Sequence, residues 1–310
     1  MKYIDFHCDT ASEILYQNKM LKKNDLSIDL LKLKKGEVSG EFFAFFIDAG
    51  INDNLYLEFE VMYRNFIREV EKNKDEIEIV TNLQELDKAN SQGKVGAFLA
   101  IEEGDVLQGN INNIKKVYDL GIRYITLTWN YKNKLGYPNY NNLYIDKGLN
   151  PLGKEMIRVM QETGVMVDAS HLSDAGFYDL IDICKKPFIV SHSNSRAITN
   201  HPRNLTDDMI KALGNKGGIM GLNFCDKFLG TRRVAQINDM IMHIKHIINV
   251  GGIDILALGT DYDGILNKVE IENPTEMYKL EYRLKNEGFT NNEIEKIFYK
   301  NARRIIGELL

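Results

Sequence analysis

Residues 95–102 read Val-Gly-Ala-Phe-Leu-Ala-Ile-Glu, seven residues without a polar side chain running into a carboxylate at Glu102. A half-buried strand alternates polar and apolar residues, and an amphipathic helix spaces its apolar residues three or four apart. An unbroken run of this length is how a strand of a parallel sheet reads, because both of its faces are covered. Runs of the same kind recur on either side. Residues 3–7 and 42–47 precede it, and residues 124–128, 165–170, 188–191, 218–223 and 255–260 follow it.

Helical patterns separate these runs. Residues 55–72 carry apolar side chains at helical spacing among Glu, Arg and Lys. Residues 151–163 open on Pro151, a good first-turn residue, and stop before Gly164. Residues 206–213 open on Thr206 as N-cap and stop before Gly214, and residues 238–250 lie between Asn238 as N-cap and Gly251. Strand–helix alternation repeated about eight times predicts an α/β fold of the (β/α)8 TIM-barrel type. An open, doubly wound sheet shares the pattern, since closure leaves no mark on a sequence. The loop over residues 131–149, rich in Asn, Tyr and Lys, is expected over the barrel mouth as a lid or substrate loop. Residues 276–286 and 291–309, broken at Gly288, are expected as helices packed on the barrel exterior.

Nothing in the composition divides the chain. It has 310 residues, five prolines and no Ser/Gly-rich tract, so residues 1–310 read as one catalytic domain. Lys plus Arg number 39 against 44 Asp plus Glu, and a net charge of -5 argues against a nucleic-acid partner. Cys8, Cys184 and Cys225 are too few and too scattered for a disulfide framework or a zinc finger. No apolar stretch is long enough for a bilayer, and residues 1–7 show no signal core, so the cytoplasm is the expected location.

The polar residues at the ends of the runs are unusual. The first ends in His7-Cys8-Asp9, the third in Glu102, the fifth in Ser170-His171, the sixth in Ser191-His192 and the eighth in Asp261. All are C-terminal ends, and in a barrel that face gathers them into one cavity. Residues two apart on a strand point the same way, so His7 and Asp9 can grip one cation while Cys8 points away. Glu102 could bridge two cations, and His171 and His192 would stand on neighbouring strands. Such a set suits a two-metal site. Each residue alone has an ordinary structural reading, and the coincidence carries the weight. His243 and His246 fall on a helix and read as structural, and His201 lies in a loop.

These residues sit in segments that resemble the membrane (renal) dipeptidase family of the amidohydrolase superfamily, over nearly all of the chain. The segments are Phe6-His7-Cys8-Asp9, Ala100-Ile101-Glu102-Glu103-Gly104, Leu120-Gly121-Ile122-Arg123-Tyr124 and Val167-Asp168-Ala169-Ser170-His171-Leu172-Ser173-Asp174. Ser191-His192-Ser193-Asn194-Ser195-Arg196, His201-Pro202-Arg203-Asn204 and Gly259-Thr260-Asp261-Tyr262-Asp263-Gly264 complete them. The resemblance implies a zinc-dependent dipeptidase that hydrolyses the amide of dipeptides, including L-D dipeptides, with a metal-bridged hydroxide. It implies two zinc ions, one on His7 and Asp9, the other on His171 and His192, with Glu102 between them. It implies that Asp261 moves protons beside the metals and that the Arg203 fork binds the dipeptide carboxylate. Homodimers are frequent in that family, which makes a homodimer the corresponding expectation here.

One departure stands out. Relatives carry Leu-Thr-His at the end of the fourth strand, where the histidine contacts the scissile carbonyl or the oxyanion. This chain has Leu127-Thr128-Trp129-Asn130. An indole only donates, and losing one oxyanion donor costs roughly 10²–10³ in rate. Trp129 and Asn130 are therefore substrate-contacting candidates beside Arg203. Either Asn130 or another group compensates, or Trp129 only walls the pocket, or the substrate differs. A related binuclear amidohydrolase acting on a lactam, lactone or N-acyl compound is the alternative, and a non-catalytic metal-binding barrel is the third.

Overall fold

The computed structural model describes residues 1–230 and 233–310. Eight parallel strands form its centre: β1 (Tyr3–Cys8), β2 (Val38–Phe46), β3 (Val95–Glu102), β4 (Ile122–Thr126), β5 (Met166–Asp168), β6 (Ile189–Ser193), β7 (Ile219–Leu222) and β8 (Leu256–Leu258). Each pairs with the next, and β1 pairs with β8 through Asp5 and Leu258. The ring is closed, which excludes the open sheet. A short strand, Ile77–Ile79, pairs with the foot of β3. All eight apolar runs coincide with barrel strands, with ends shifted by a few residues.

Inside the ring, alternate residues meet. Phe42 stacks on Phe6 at 4.9 Å and on Phe98 at 4.5 Å, filling the lower barrel with flat rings. Truncating such a ring to Ala costs about 3–5 kcal/mol. Gly221 and Gly259 face the Ser191 carbonyl so closely that a Cβ at either would collide with it. Outside the ring, the helix Leu55–Lys72 turns Phe59, Met62 and Phe66 inward, three and four residues apart, and Phe66 packs on Phe43 at 4.7 Å. Its N-cap Asn54 accepts the Leu57 N–H.

The helix Pro151–Thr163 keeps its predicted bounds, with Gly164 left-handed at φ 91°. Thr206 caps Asp207–Asn215, which runs on through Gly214. The helix Ile237–Gly251 starts earlier than predicted, because Gln236 takes the cap position and the Asn238 side chain accepts from Arg283 instead. No helix of the described residues is long and apolar enough to cross a membrane.

Residues 291–309 depart from the expected exterior layer, and residues 276–286 keep to it. The helix Tyr278–Asn286 does lie outside, joined to Ile237–Gly251 by the Lys245–Glu287 ion pair. Asn291–Glu295, a π-helical turn over Lys296–Lys300, and Asn301–Leu309 form one continuous run. Its last turns aim Ala302, Ile305, Ile306 and Leu309 into the same apolar cluster as Ile4, Phe6 and Phe98. That face recurs at helical spacing and stoppers the foot of the barrel. Asn301 pins it by donating to the carbonyls of Ile253 at 2.7 Å and Leu256 at 2.8 Å.

The 131–149 loop is stitched to the segment that follows β5. Asn139 N–H donates to the His171 carbonyl at 2.7 Å, Ser173 N–H to Tyr137 at 2.9 Å and Ala175 N–H to Ile145 at 3.0 Å.

Candidate active site

Ile4 and Phe6 both join the interior cluster of the barrel, so strict alternation would turn His7 outward. The pairing of β1 with β2 slips between Asp5 and Cys8. Beyond the slip, His7 lies inside, its Nδ1 2.7 Å from the Tyr124 hydroxyl. Asp9 is no strand residue but the residue before the helix Thr10–Tyr16, with φ −95° and ψ 12°. His7 and Asp9 thus come together through a register slip and a helix entry, not through strand alternation. β6 repeats the device: its register against β7 slips between Val190 and Ser193, and His192 follows the inward Ser191. His171 and Asp261 sit in left-handed backbone, at φ 67° and 64°.

The structure brings together all six residues expected at the mouth. Glu102 Oε2 lies 3.3 Å from His7 Nε2, and Oε1 lies 3.1 Å from His171 Nε2 and 3.6 Å from His192 Nε2. Asp9 Oδ1 lies 3.7 Å from His7 Nε2. Two triads, His7–Glu102–His192 and His7–Asp9–Asp261, each keep their ligand atoms within 4.8 Å of one another. All six residues are buried.

Hydrogen bonds assign the imidazole tautomers. The Tyr124 hydroxyl donates to the Phe6 carbonyl at 2.9 Å, so its lone pair is left to accept His7 Nδ1–H. Ser191 Oγ donates to Asp168 at 2.6 Å and accepts His192 Nδ1–H at 2.8 Å. Asn130 Oδ1 faces His171 Nδ1 at 3.4 Å. In its neutral form each ring thereby turns an Nε2 without a proton to the centre. His171 Nε2 and His192 Nε2 lie 3.1 Å apart, two lone pairs facing each other. Among the described residues, His7 Nε2 and Asp9 Oδ1 have no hydrogen-bond partner although both are buried. Bare nitrogens beside unpaired carboxylate oxygens fit a bound cation.

The charges agree. Burial and the nearby Glu102 push the Asp9 carboxyl up to about 8, and burial lifts Asp261 to about 6. Burial would raise Glu102 as well, but His7 and His171 outweigh it and hold the carboxylate below the usual range. Burial lowers His171 to about 4 and His192 well below 6.5. Burial opposes a charge on His7 too, but Tyr124, Glu102 and Asp9 overcome it, so His7 keeps a proton that a cation would displace.

Arg203 is buried rather than a surface ion pair. Its Nη2 donates to the His192 carbonyl at 3.1 Å, its Nε has no partner among the described residues, and its guanidinium lies 5.2 Å over the Phe228 ring. His201, whose role the sequence left open, accepts the Arg203 N–H on Nδ1 at 3.1 Å, and burial holds that ring at about 4 and so neutral. Asp261 accepts from Asn223 Nδ2 at 2.8 Å. Trp129 stands 6.2 Å from His171, ring centre to ring centre.

Sequence reasoning gave no role to Tyr124, Asp168, Ser191, Asn223 and Glu103. Asp168 had a signal, an acid inside the apolar run 165–170. Its carboxylate takes both hydroxyls of Ser170 and Ser191 and the Thr126 hydroxyl, tying β4, β5 and β6 together beneath the histidines.

Residues 1–309 match the model of the membrane dipeptidase family, peptidase family M19. An uncharacterized dipeptidase of Schizosaccharomyces pombe is 33% identical over 253 residues, 76% of this chain. The match spans 61% of the length of that relative. Among solved structures, a metallo peptidase from Rhodobacter sphaeroides, liganded with a phosphinate mimic of the dipeptide L-Ala-D-Ala, superposes with a TM-score of 0.92 at 20% identity. That alignment covers 100% of this chain and 99% of the other. The dipeptidase AC of the same peptidase family superposes with a TM-score of 0.93 at 21% identity, covering 100% and 98% of the two chains. At these identities the superpositions show the barrel fold.

Proposed function

This chain belongs to the membrane dipeptidase family, and on that premise we propose that it is a metal-dependent dipeptidase holding two zinc ions. The observation that carries the proposal is the convergence of three imidazole Nε2 atoms on Glu102, beside an Asp9 oxygen with no partner among the described residues. His7 and Asp9 would hold one ion and His171 and His192 the other, with Glu102 shared. Nitrogen and carboxylate donors in this number suit zinc. When bound, the ions supply a nucleophilic water at neutral pH and polarise the scissile carbonyl.

The remaining work falls to the chain's own groups. The Arg203 fork, its Nε without a partner among the described residues, would take the carboxylate end of a short zwitterion. Asp261, close to His7 and Asp9 and held by Asn223, would receive a proton and pass it to the leaving amine. Arg203 and Asp261 would hold the two ends of that zwitterion, which would restrict its length to two residues. L-D dipeptides are candidates, since the Rhodobacter sphaeroides neighbour binds a mimic of one. The three cysteines are unpaired and buried, which supports a reducing, cytoplasmic setting.

Metal analysis with a dipeptide panel, on wild type and on Glu102→Gln, tests the proposal. About two zinc ions per chain, with turnover lost in the variant, supports it. Absence of stoichiometric metal after reconstitution overturns it. Trp129 favours a second reading, a related amidohydrolase acting on a lactam, lactone or N-acyl compound. Full metal occupancy without dipeptide turnover would select that activity, and Trp129→His would then raise dipeptide hydrolysis.

A further inference from the structure

Three rings that the proposed chemistry does not use form one continuous face at the barrel mouth. Phe46 ends β2, and Trp129 and Tyr131 follow β4. Phe46 and Trp129 lie 4.7 Å apart at an angle of 60°, and Trp129 and Tyr131 lie 5.9 Å apart. The Tyr131 hydroxyl covers Gly50 so closely that no Cβ fits between them, which seals the loop after β2 against the loop after β4. Phe46 and Trp129 are half-buried and Tyr131 is 43% exposed, so the face is open to the mouth. Trp129 also neighbours His171, which places the face beside the reacting centre.

Arg203 rises from the loop after β6. In a ring of eight strands, β6 stands opposite β2. A dipeptide with its carboxylate on Arg203 and its amide over Glu102 therefore runs across the mouth toward Phe46 and Trp129. We propose that this aromatic face receives the side chain of the dipeptide's first residue, and that the enzyme prefers large apolar or aromatic first residues. The inference rests on the dipeptidase reading and deepens it. Apolar contact of this kind discriminates by roughly ten- to two-hundred-fold per group removed.

The test compares kcat/KM for Gly-, Ala-, Leu- and Phe-D-Ala on the zinc-loaded wild type, Phe46→Ala and Tyr131→Ala. The expected result is a Phe-to-Gly ratio of about tenfold or more in the wild type, falling toward one in both variants, mainly through KM. Tyr131 is on the surface, so its variant remains folded even where Phe46→Ala does not. Turnover of all four substrates without preference, or a ratio unchanged by Tyr131→Ala at full metal occupancy, overturns the inference and leaves the dipeptidase reading standing. No turnover of any dipeptide overturns both.

Discussion

The carboxylate of Glu103 accepts the backbone N–H of Trp129 at 3.1 Å, although the two residues follow different strands. Glu103 also accepts from Asn133 Nδ2 at 2.5 Å and from Asp105 N–H at 2.8 Å. It does so from a backbone at φ 113° and ψ 99°, where side-chain-bearing residues rarely sit. Such strain costs on the order of 1–3 kcal/mol and persists only where the surroundings impose it. The neighbour of the central carboxylate Glu102 thus clamps the loop that carries Trp129 and Asn130.

Glu103→Ala is expected to release that loop. Trp129 is the chain's only tryptophan, so its emission reports the release directly. We expect a shifted emission maximum, KM raised more than kcat, and about 1–3 kcal/mol lost in denaturant titration. Glu103→Gly relieves the backbone without restoring the clamp. It should recover part of the stability but none of the emission. Unchanged emission in both variants would refute the clamp.

Tyr124→Phe removes the acceptor of His7 Nδ1–H and leaves the ring that packs on Phe42. Metal affinity should fall by roughly 10–100-fold. Competition with a calibrated chelator measures it. An unaltered affinity would mean that the tyrosine does not orient His7.

Burial lowers His243 to about 4, below the unfolded value near 6.5. Its Nδ1 accepts the Ser195 N–H at 3.1 Å. The unfolded chain therefore binds this proton first on acidification. The contribution of His243 is complete above about pH 6.5 and is lost as pH falls toward about 4. The stability advantage of wild type over His243→Gln should shrink by about 2–3 kcal/mol across that window in metal-free protein. Urea titrations at pH 7.5 and 4.5 measure the difference, and a constant advantage would contradict it.

Ile305 lies in the stopper at the foot of the barrel, away from the mouth. Ile305→Ala should cost about 2–5 kcal/mol and leave kcat/KM within about twofold, since the loss is of packing alone. A large activity loss in the folded variant would show that foot and mouth are coupled.

Much of this was legible from residues alone. The eight strands announced themselves because a strand covered on both faces must be apolar throughout, and Glu102, His171, His192 and Asp261 stood out by ending such runs. Two things were not legible. The inward turn of His7 and of His192 depends on register slips, which lie in the pairing between strands and not in either strand's residues. The stopper helix carries the same amphipathic stripe as any exterior helix, and only the open foot of a closed ring gives that stripe a different place to go. Glu102 and Glu103 are chemically equal in the sequence. The end of β3 separates them: Glu102 is its last residue and faces the histidines, and the positive φ of Glu103 turns the second carboxylate to the loop.

The seam between β1 and β8 joins Asp5 to Leu258. Until it forms, Glu102, His171 and His192 can already be neighbours, but His7 and Asp9, at the edge of an open sheet, remain apart from His171 and His192. A nascent chain with an open seam therefore offers metal only a partial set of donors. A cation held by both groups would therefore add its binding energy only to the closed form.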